Sequence, residues 1–212
     1  MNLPVIQSIQ PPPPIVYVVD DEAAMVRALL RLLTAEGFFA LGFTSAHAFR
    51  EAYQAGRDGC VILDYSMPGL SGLSLQDDLA RSGVLIPLIF LSGHADVPIC
   101  ARAMKAGAVD FLTKPVDREI LVEAIGRALS RAAAEREMNE VARRLGRLTP
   151  REREVMGHVV AGKLNKQIAA DLGTGEQNIK IHRGRVMKKL GVDSLAALVR
   201  VYERLGRKEL EA

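Results

Sequence analysis

From Ile15 onward the chain alternates short apolar runs with stretches of helical spacing. Ile15–Val19 is an unbroken β-favouring run, and Glu22–Ala35 then places Met25, Leu29, Leu32 and Leu33 on one helical face. Gly37 stops that helix, Phe38–Phe43 forms a second strand, and Ser45 caps a helix ending near Gly56. Cys60–Leu63 is a third strand, followed by a Pro68-Gly69 loop and a helix from about Ser71 to Ala80. Leu88–Leu91 reads as a fourth strand, Val97–Lys105 as a helix closed by Gly107, and Val109–Leu112 as a fifth strand. Asp117 then caps a long helix. Five fully apolar strands alternating with helices predict an α/β fold: a doubly wound five-stranded parallel sheet, covered on both faces.

After about Leu129 the strand signals vanish. Ser130–Arg147 is rich in Ala, Glu and Arg, with Met138, Val141, Leu145 and Leu148 forming one apolar stripe. This stripe fits an amphipathic extension of the fifth helix or a short dimeric coiled coil. Thr149-Pro150, with acids in the next turn, opens a helix that runs to Ala161-Gly162. Further helices are expected at Asn165–Leu172, ending at Gly173, at Glu176–Leu190, ending at Gly191, and from Ser194. Two short helices joined through Gly173 have the helix-turn-helix layout, so a small all-α domain follows the sheet. The expected organisation is a disordered leader over 1–14 ending in four prolines, a sheet domain over 15–129, a helical linker over 130–147 and a helix-turn-helix domain over 148–212.

Composition narrows this picture. The chain is 49% hydrophobic and 25% charged, as expected of a globular protein. No apolar run approaches the roughly 20 residues of a membrane span, and the amino terminus lacks a secretion signal, which points to the cytoplasm. Cys60 and Cys100 lie in apolar surroundings with no metal-type spacing and read as buried, reduced thiols. The net charge of +3 divides unevenly: residues 1–125 carry 9 basic and 14 acidic residues, while 126–212 carry 19 and 11. An acidic front and a basic back suggest modules with different partners, the second being nucleic acid.

In an open α/β sheet, ligands bind at the carboxyl ends of the strands, beside the point where strand order reverses. Strand one ends in Asp20-Asp21-Glu22, strand three in Asp64, strand four in Ser92, and strand five in Thr113-Lys114-Pro115. With strand order 2-1-3-4-5, Asp20, Asp21 and Asp64 share a pocket. Converging carboxylates repel unless a cation neutralises them, and oxygen donors suit Mg²⁺. A carboxylate beside such a metal can act as a nucleophile and form an acyl phosphate, with Lys114 offsetting phosphoryl charge and Ser92 donating a hydrogen bond. Each residue also has a plain alternative. The acidic doublet, or Glu22, can cap a helix; Asp64 can open a turn; Ser92 can be loop chemistry; Lys114 can be solvated.

The run Val18-Val19-Asp20-Asp21-Glu22, the pair Leu63-Asp64 with Met67-Pro68-Gly69, Leu91-Ser92-Gly93-His94, and Lys114-Pro115 together resemble response-regulator receiver domains over about residues 15–128. Ser92–Pro98 and Ala103–Ala108 look especially like the FixJ subfamily. The resemblance implies that Asp64 accepts phosphate from a partner histidine kinase. It assigns Mg²⁺ to Asp20, Asp21, Asp64 and the backbone carbonyl of Ser66. It makes Ser92 and Lys114 the sensors of the phosphoryl group, Lys114-Pro115 a cis peptide, and Phe111 the aromatic switch, a position equally compatible with a plain core aromatic.

On the expected recognition helix, Lys180, Arg183, Arg185, Lys188 and Lys189 are basic, while Ile179, Val186 and Leu190 carry an apolar face. Lys180 and Arg183, three apart, are expected on one face, where long cations contact phosphates or guanine edges. The alternative is a solvated basic helix. Leu148-Thr149-Pro150-Arg151-Glu152, Asn165-Lys166-Gln167-Ile168-Ala169, Leu172-Gly173, Ile179-Lys180-Ile181-His182 and Leu190-Gly191-Val192 resemble the LuxR-type helix-turn-helix over about 148–205. That implies Lys180 and Ile181 facing bases, with Arg183, Arg185 and Lys188 nearby. It also implies a fourth helix that pairs two subunits on a two-fold DNA site. The sequence departs from that pattern at Gly175–Asn178 and at Gly184, where a larger polar residue is usual and where glycine costs a helix up to about 1 kcal/mol relative to alanine.

Together these features predict a cytoplasmic transcription factor that dimerises on phosphorylation and then binds promoter DNA. Two other functions fit parts of the pattern. A phosphohydrolase with an Asp nucleophile would place an Asp-x-Asp after strand one, where this chain has the adjacent pair Asp20-Asp21. A transcription factor indifferent to phosphorylation would keep the pocket as structure alone.

Overall fold

The computed structural model describes residues 12–53, 57–68, 71–93 and 96–210, with side chains through residue 203. Most of the expected Pro-rich leader lies outside these residues, as do Gly56, Gly69 and His94. The first 134 residues and those from Glu135 onward are separate compact units, taken here in turn.

In the first unit, β1 (Ile15–Val19), β2 (Phe39–Phe43), β3 (Gly59–Asp64), β4 (Leu88–Ser92) and β5 (Asp110–Thr113) form one parallel sheet in the order β2-β1-β3-β4-β5. The helices are α1 (Ala23–Ala35), α2 (Ala46–Ala52), α3 (Gly72–Arg81), α4 (Val97–Lys105) and α5 (Arg118–Gly146). Unbroken apolar strands are required because both faces are covered. Ile15, Tyr17 and Val19 point into one core with Phe49, Leu75 and Phe90, while Val16 and Val18 point into the other with Leu29, Leu33, Leu121 and Ile125. The two-residue period of a strand thus serves two cores at once.

The expected element boundaries shift by a residue or so, and one shift has consequences. Asp64 and Ser92, expected just beyond their strands, are the last residues of β3 and β4, because Asp64 pairs with Leu91 and Ser92 with Thr113. Ladder pairing holds both inside the protein, at 5% and 3% exposure. The second helix ends at Ala52 and not near Gly56, capped by the extended backbone of Tyr53.

The linker stretch continues α5 without a break to Gly146. Its apolar stripe divides: Leu145 and Leu148 pack into the core of the second unit, and Met138 stays exposed. That second unit comprises the carboxyl end of α5 with α6 (Pro150–Val160), α7 (Asn165–Asp171), α8 (Glu176–Leu190) and α9 (Leu195–Leu210). Val155, Val159, Ile168, Ile179, Val186 and Leu198 form its core. Thr149 and Glu152 make the reciprocal capping box that begins α6. Gly173 (φ 61°) and Gly191 (φ 67°) take the left-handed conformation that ends α7 and α8.

Candidate functional site

Parallel register builds the site. Val19 pairs with Leu63, so the next residues, Asp20 and Asp64, emerge side by side at the carboxyl edge of the sheet. Carboxylate oxygens of Asp20, Asp21 and Asp64 lie within 4.8 Å of one another. Asp20 is 1% exposed and Asp21 is exposed, so the cluster has a closed floor and an open rim. Backbone amides orient the carboxylates: Glu22 N–H donates to Asp20 Oδ1 at 2.9 Å, and Ser66 N–H donates to Asp64 Oδ2 at 3.1 Å. The capping alternative for the doublet is thereby narrowed. Glu22 is the N-cap residue of α1 without a side-chain bond, and Asp20 meets an amide there while still reaching the cluster.

Lys114 enters from β5. Its Nζ lies 2.7 Å from Asp20 Oδ2 and 2.7 Å from Asp64 Oδ1, with the lysine side chain only 16% exposed. Burial works to lower the lysine pKa, but the hydrogen bonds and negative charge of Asp20 and Asp64 outweigh it, and the net shift is upward. The ammonium is therefore held charged between two buried carboxylates. Lys114 N–H also donates to the Ser92 carbonyl at 2.8 Å, and Lys114-Pro115 is a cis peptide. Phe111 is half-buried, its ring 6.2 Å from Tyr65 and 6.0 Å from Phe90.

Three residues of this region were not anticipated. Gly72 begins α3 so close to the strand end that a Cβ there would lie 2.7 Å from the Asp64 carbonyl oxygen and 2.8 Å from Phe90, so only glycine lets α3 buttress Asp64. Tyr65 supplies a ring to Phe111. Gln76, buried in α3, donates from Nε2 to the Ala106 carbonyl at 3.1 Å, tying α3 to the end of α4. The Gly72 position had a sequence signal, a glycine at the first position of a helix after its Ser71 cap; Gln76 had none.

In the second unit, α8 turns Ile179, Val186 and Leu190 inward at 0%, 1% and 2% exposure. The outward side carries Gln177, Lys180, Ile181, Gly184, Arg185 and Lys188, all exposed. Arg183 departs from this face. It is half-buried, its Nη1 donating to Asn165 Oδ1 at 3.4 Å, and it lines a cavity of about 490 Å³ with Lys166 and Leu195. Lys180 and Arg183, three apart on α8, differ in exposure: Lys180 is exposed with its Nζ 3.7 Å from Glu176, while Arg183 turns to the acceptor that α7 supplies.

Two cations brace α8 against neighbouring elements. Lys189 Nζ lies 2.6 Å from the buried Glu152 carboxylate and donates to the Arg147 carbonyl at 3.0 Å, while Arg144 donates to the Leu190 carbonyl at 3.1 Å. The Lys189 hydrogen bond lowers the Glu152 pKa against the opposing effect of burial, with help from Thr149. Lys189, basic by sequence, is thus a structural cation.

Residues 16–126 match the response regulator receiver domain, and residues 147–202 match the bacterial regulatory proteins of the LuxR family. The chain is 43% identical to Nodulation protein W of Bradyrhizobium diazoefficiens over 196 residues, covering 91% of this chain and 86% of that protein. It is 40% identical to the transcriptional regulatory protein FixJ of the same organism, covering 90% and 95%. Among solved structures it is similar to the response regulator StyR, with TM-score 0.73, 39% identity and coverage of 91% and 100%. Full-length FixJ from B. japonicum is also similar, with TM-score 0.57, 39% identity and coverage of 92% and 98%. The chain belongs to the two-component response regulators, those in which a receiver domain precedes a LuxR-type DNA-binding domain and which regulate transcription.

Proposed function

We propose that Asp64 is the phosphoacceptor and that its phosphorylation by a partner histidine kinase controls DNA binding by α8. The observation that carries this is the buried Asp64 carboxylate, clustered with Asp20 and Asp21 and paired with Lys114 at 2.7 Å. An Asp64 oxygen attacks the phosphorus of a phosphohistidine, the P–N bond breaks, and an acyl phosphate forms with the imidazole as leaving group. The donor set of three carboxylates fits a hard divalent cation, and Asp20, Asp21, Asp64 and the Ser66 carbonyl would hold Mg²⁺. That ion would offset negative charge on the transferring group. Lys114 exchanges one of its carboxylate partners for a phosphoryl oxygen, Ser92 donates to another, and Phe111 follows the resulting shift of β5.

The receiver comprises 15–129, the linker 130–147 and the DNA-binding domain 148–212. Phosphorylation favours a homodimer that places two copies of α8 on a two-fold promoter site, with Lys180, Ile181, Arg185 and Lys188 facing the duplex and Arg183 supporting from the side of α7. Among the described residues no helix is long and apolar enough to cross a membrane. The protein acts in the cytoplasm as a phosphoacceptor signalling protein and transcription regulator.

The test treats the full-length chain and Asp64→Asn with acetyl phosphate and Mg²⁺. The parent chain should gain one phosphoryl group by intact mass, elute as a dimer and bind promoter DNA more tightly; the variant should do none of these. An equal response from the variant rejects the switch.

A further inference from the structure

The carboxyl ends of α5 and α8 meet, and each holds the other. Arg144 of α5 donates from Nη1 to the Leu190 carbonyl, at the end of α8, over 3.1 Å. Lys189 of α8 donates from Nζ to the Arg147 carbonyl, just past the end of α5, over 3.0 Å. The last carbonyls of a helix lack partners within it and carry partial negative charge, so two carboxyl ends placed together repel. Here each end receives a cation from the opposite helix.

Stopping α8 does not need this exchange. Its own backbone already closes it: Gly191 is left-handed, its N–H donates to the Lys188 carbonyl, and Val192 N–H donates to the Met187 carbonyl. Arg144 adds a bond to the Leu190 carbonyl, which that local stop leaves over. Glu140 aims the guanidinium, its Oε1 accepting from Nε at 2.7 Å. A Cβ at position 191 would lie 2.9 Å from Nη1, so the glycine that ends α8 also leaves room for the arginine. Leu145 and Leu148, beside Arg144 in sequence, pack into the same core as Leu190. Two charge-assisted bonds running in opposite directions fix an orientation that one alone would leave free to turn.

We infer that this joint carries the phosphorylation response into α8, with Arg144 as a positioning residue that fastens the reading helix to the linker stretch of α5. A change imposed on that stretch then reaches α8 instead of being absorbed at the connection. This rests on the reading in which phosphorylation of Asp64 controls DNA binding by α8.

The experiment uses full-length protein with and without acetyl phosphate and Mg²⁺, and duplexes enriched from a randomised pool by the phosphorylated parent. The quantity followed is the gain, the ratio of DNA affinities in the two states, in which the loss of one positive charge cancels. Arg144→Ala should take up one phosphoryl group as the parent does and melt only slightly earlier, yet its gain should fall by about fivefold or more. Arg144→Lys, which keeps a charged donor, should recover part of the gain. Arg143→Ala, which removes the neighbouring partner of Glu140, should keep all of it. If Arg144→Ala keeps the parent gain, or loses it only by unfolding, Arg144 is structural and the joint is overturned; an equal loss in Arg143→Ala overturns it too. If the parent itself shows no gain, phosphorylation does not control α8, and the reading beneath the proposal fails with it.

Discussion

In the receiver unit, three carboxylates lie within 4.8 Å of one another, two of them buried, with a lysine shared between two of them. In the helical unit, Lys180, Arg185 and Lys188 are dispersed over an exposed helix face, Lys180 within 3.7 Å of the exposed Glu176, while the tightly held charges, Glu152 and Lys189, are spent on structure. Concentrated buried charge is costly to hold and responds strongly when one small, hard, highly charged group arrives. Dispersed surface charge costs little and is suited to a polyanion, along which many weak contacts add up under the control of salt. A switch needs the first kind of site and an output surface the second.

The sharpest way to break this comparison is to attack the support of the buried site. Phe90 is fully buried under β4 and touches both Phe111 and the space beside Gly72. Phe90→Ala should cost the receiver unit about 3–5 kcal/mol by denaturant unfolding, with the melting of the helical unit unchanged. Loss of both transitions together would show that the two units do not fold independently.

Lys114→Ala tests whether ammonium and metal act on the same carboxylates. Removing a buried partner should destabilise the receiver by about 3 kcal/mol, and added Mg²⁺ should then stabilise the variant more than the parent chain. Equal stabilisation of both by Mg²⁺ would separate the two roles.

The smallest effect concerns the structural charge of the helical unit. Glu152 titrates below its ordinary value of 4.5 when folded, so its contribution is fully present above that value and is lost as pH falls through the lower folded value. Glu152→Gln should lower the thermal midpoint near neutrality and flatten its decline on acidification, followed by circular dichroism. A parallel shift at every pH would mean that Glu152 acts through shape and not through charge.

Much of this was legible beforehand because the strands are apolar on both faces and the helices carry clear stops. The functional chemistry was legible too, since residues at strand ends fall at one edge of any doubly wound sheet. Where expectation and structure differ, the cause is a partner distant in sequence. Arg183 is half-buried because Asn165 on α7 accepts its hydrogen bond. Gln76 gains its role only because the end of α4 lies beside it. Both cysteines are free as expected, but only Cys60 is buried, and that burial in the sheet pushes its pKa up to about 12; Cys100 is half-buried.

Local pattern by itself determined which segments are strands and helices, to within a few residues at their ends, and that acid, hydroxyl and lysine stand at successive strand ends, because periodicity and capping are written within a few residues. Tertiary structure alone decided that Val19 and Leu63 share a register step, that one lysine is divided between carboxylates 94 and 50 positions away, and that Gln76 of α3 meets the end of α4. Those facts depend on the distances between atoms brought together by packing, and no spacing along a chain specifies them.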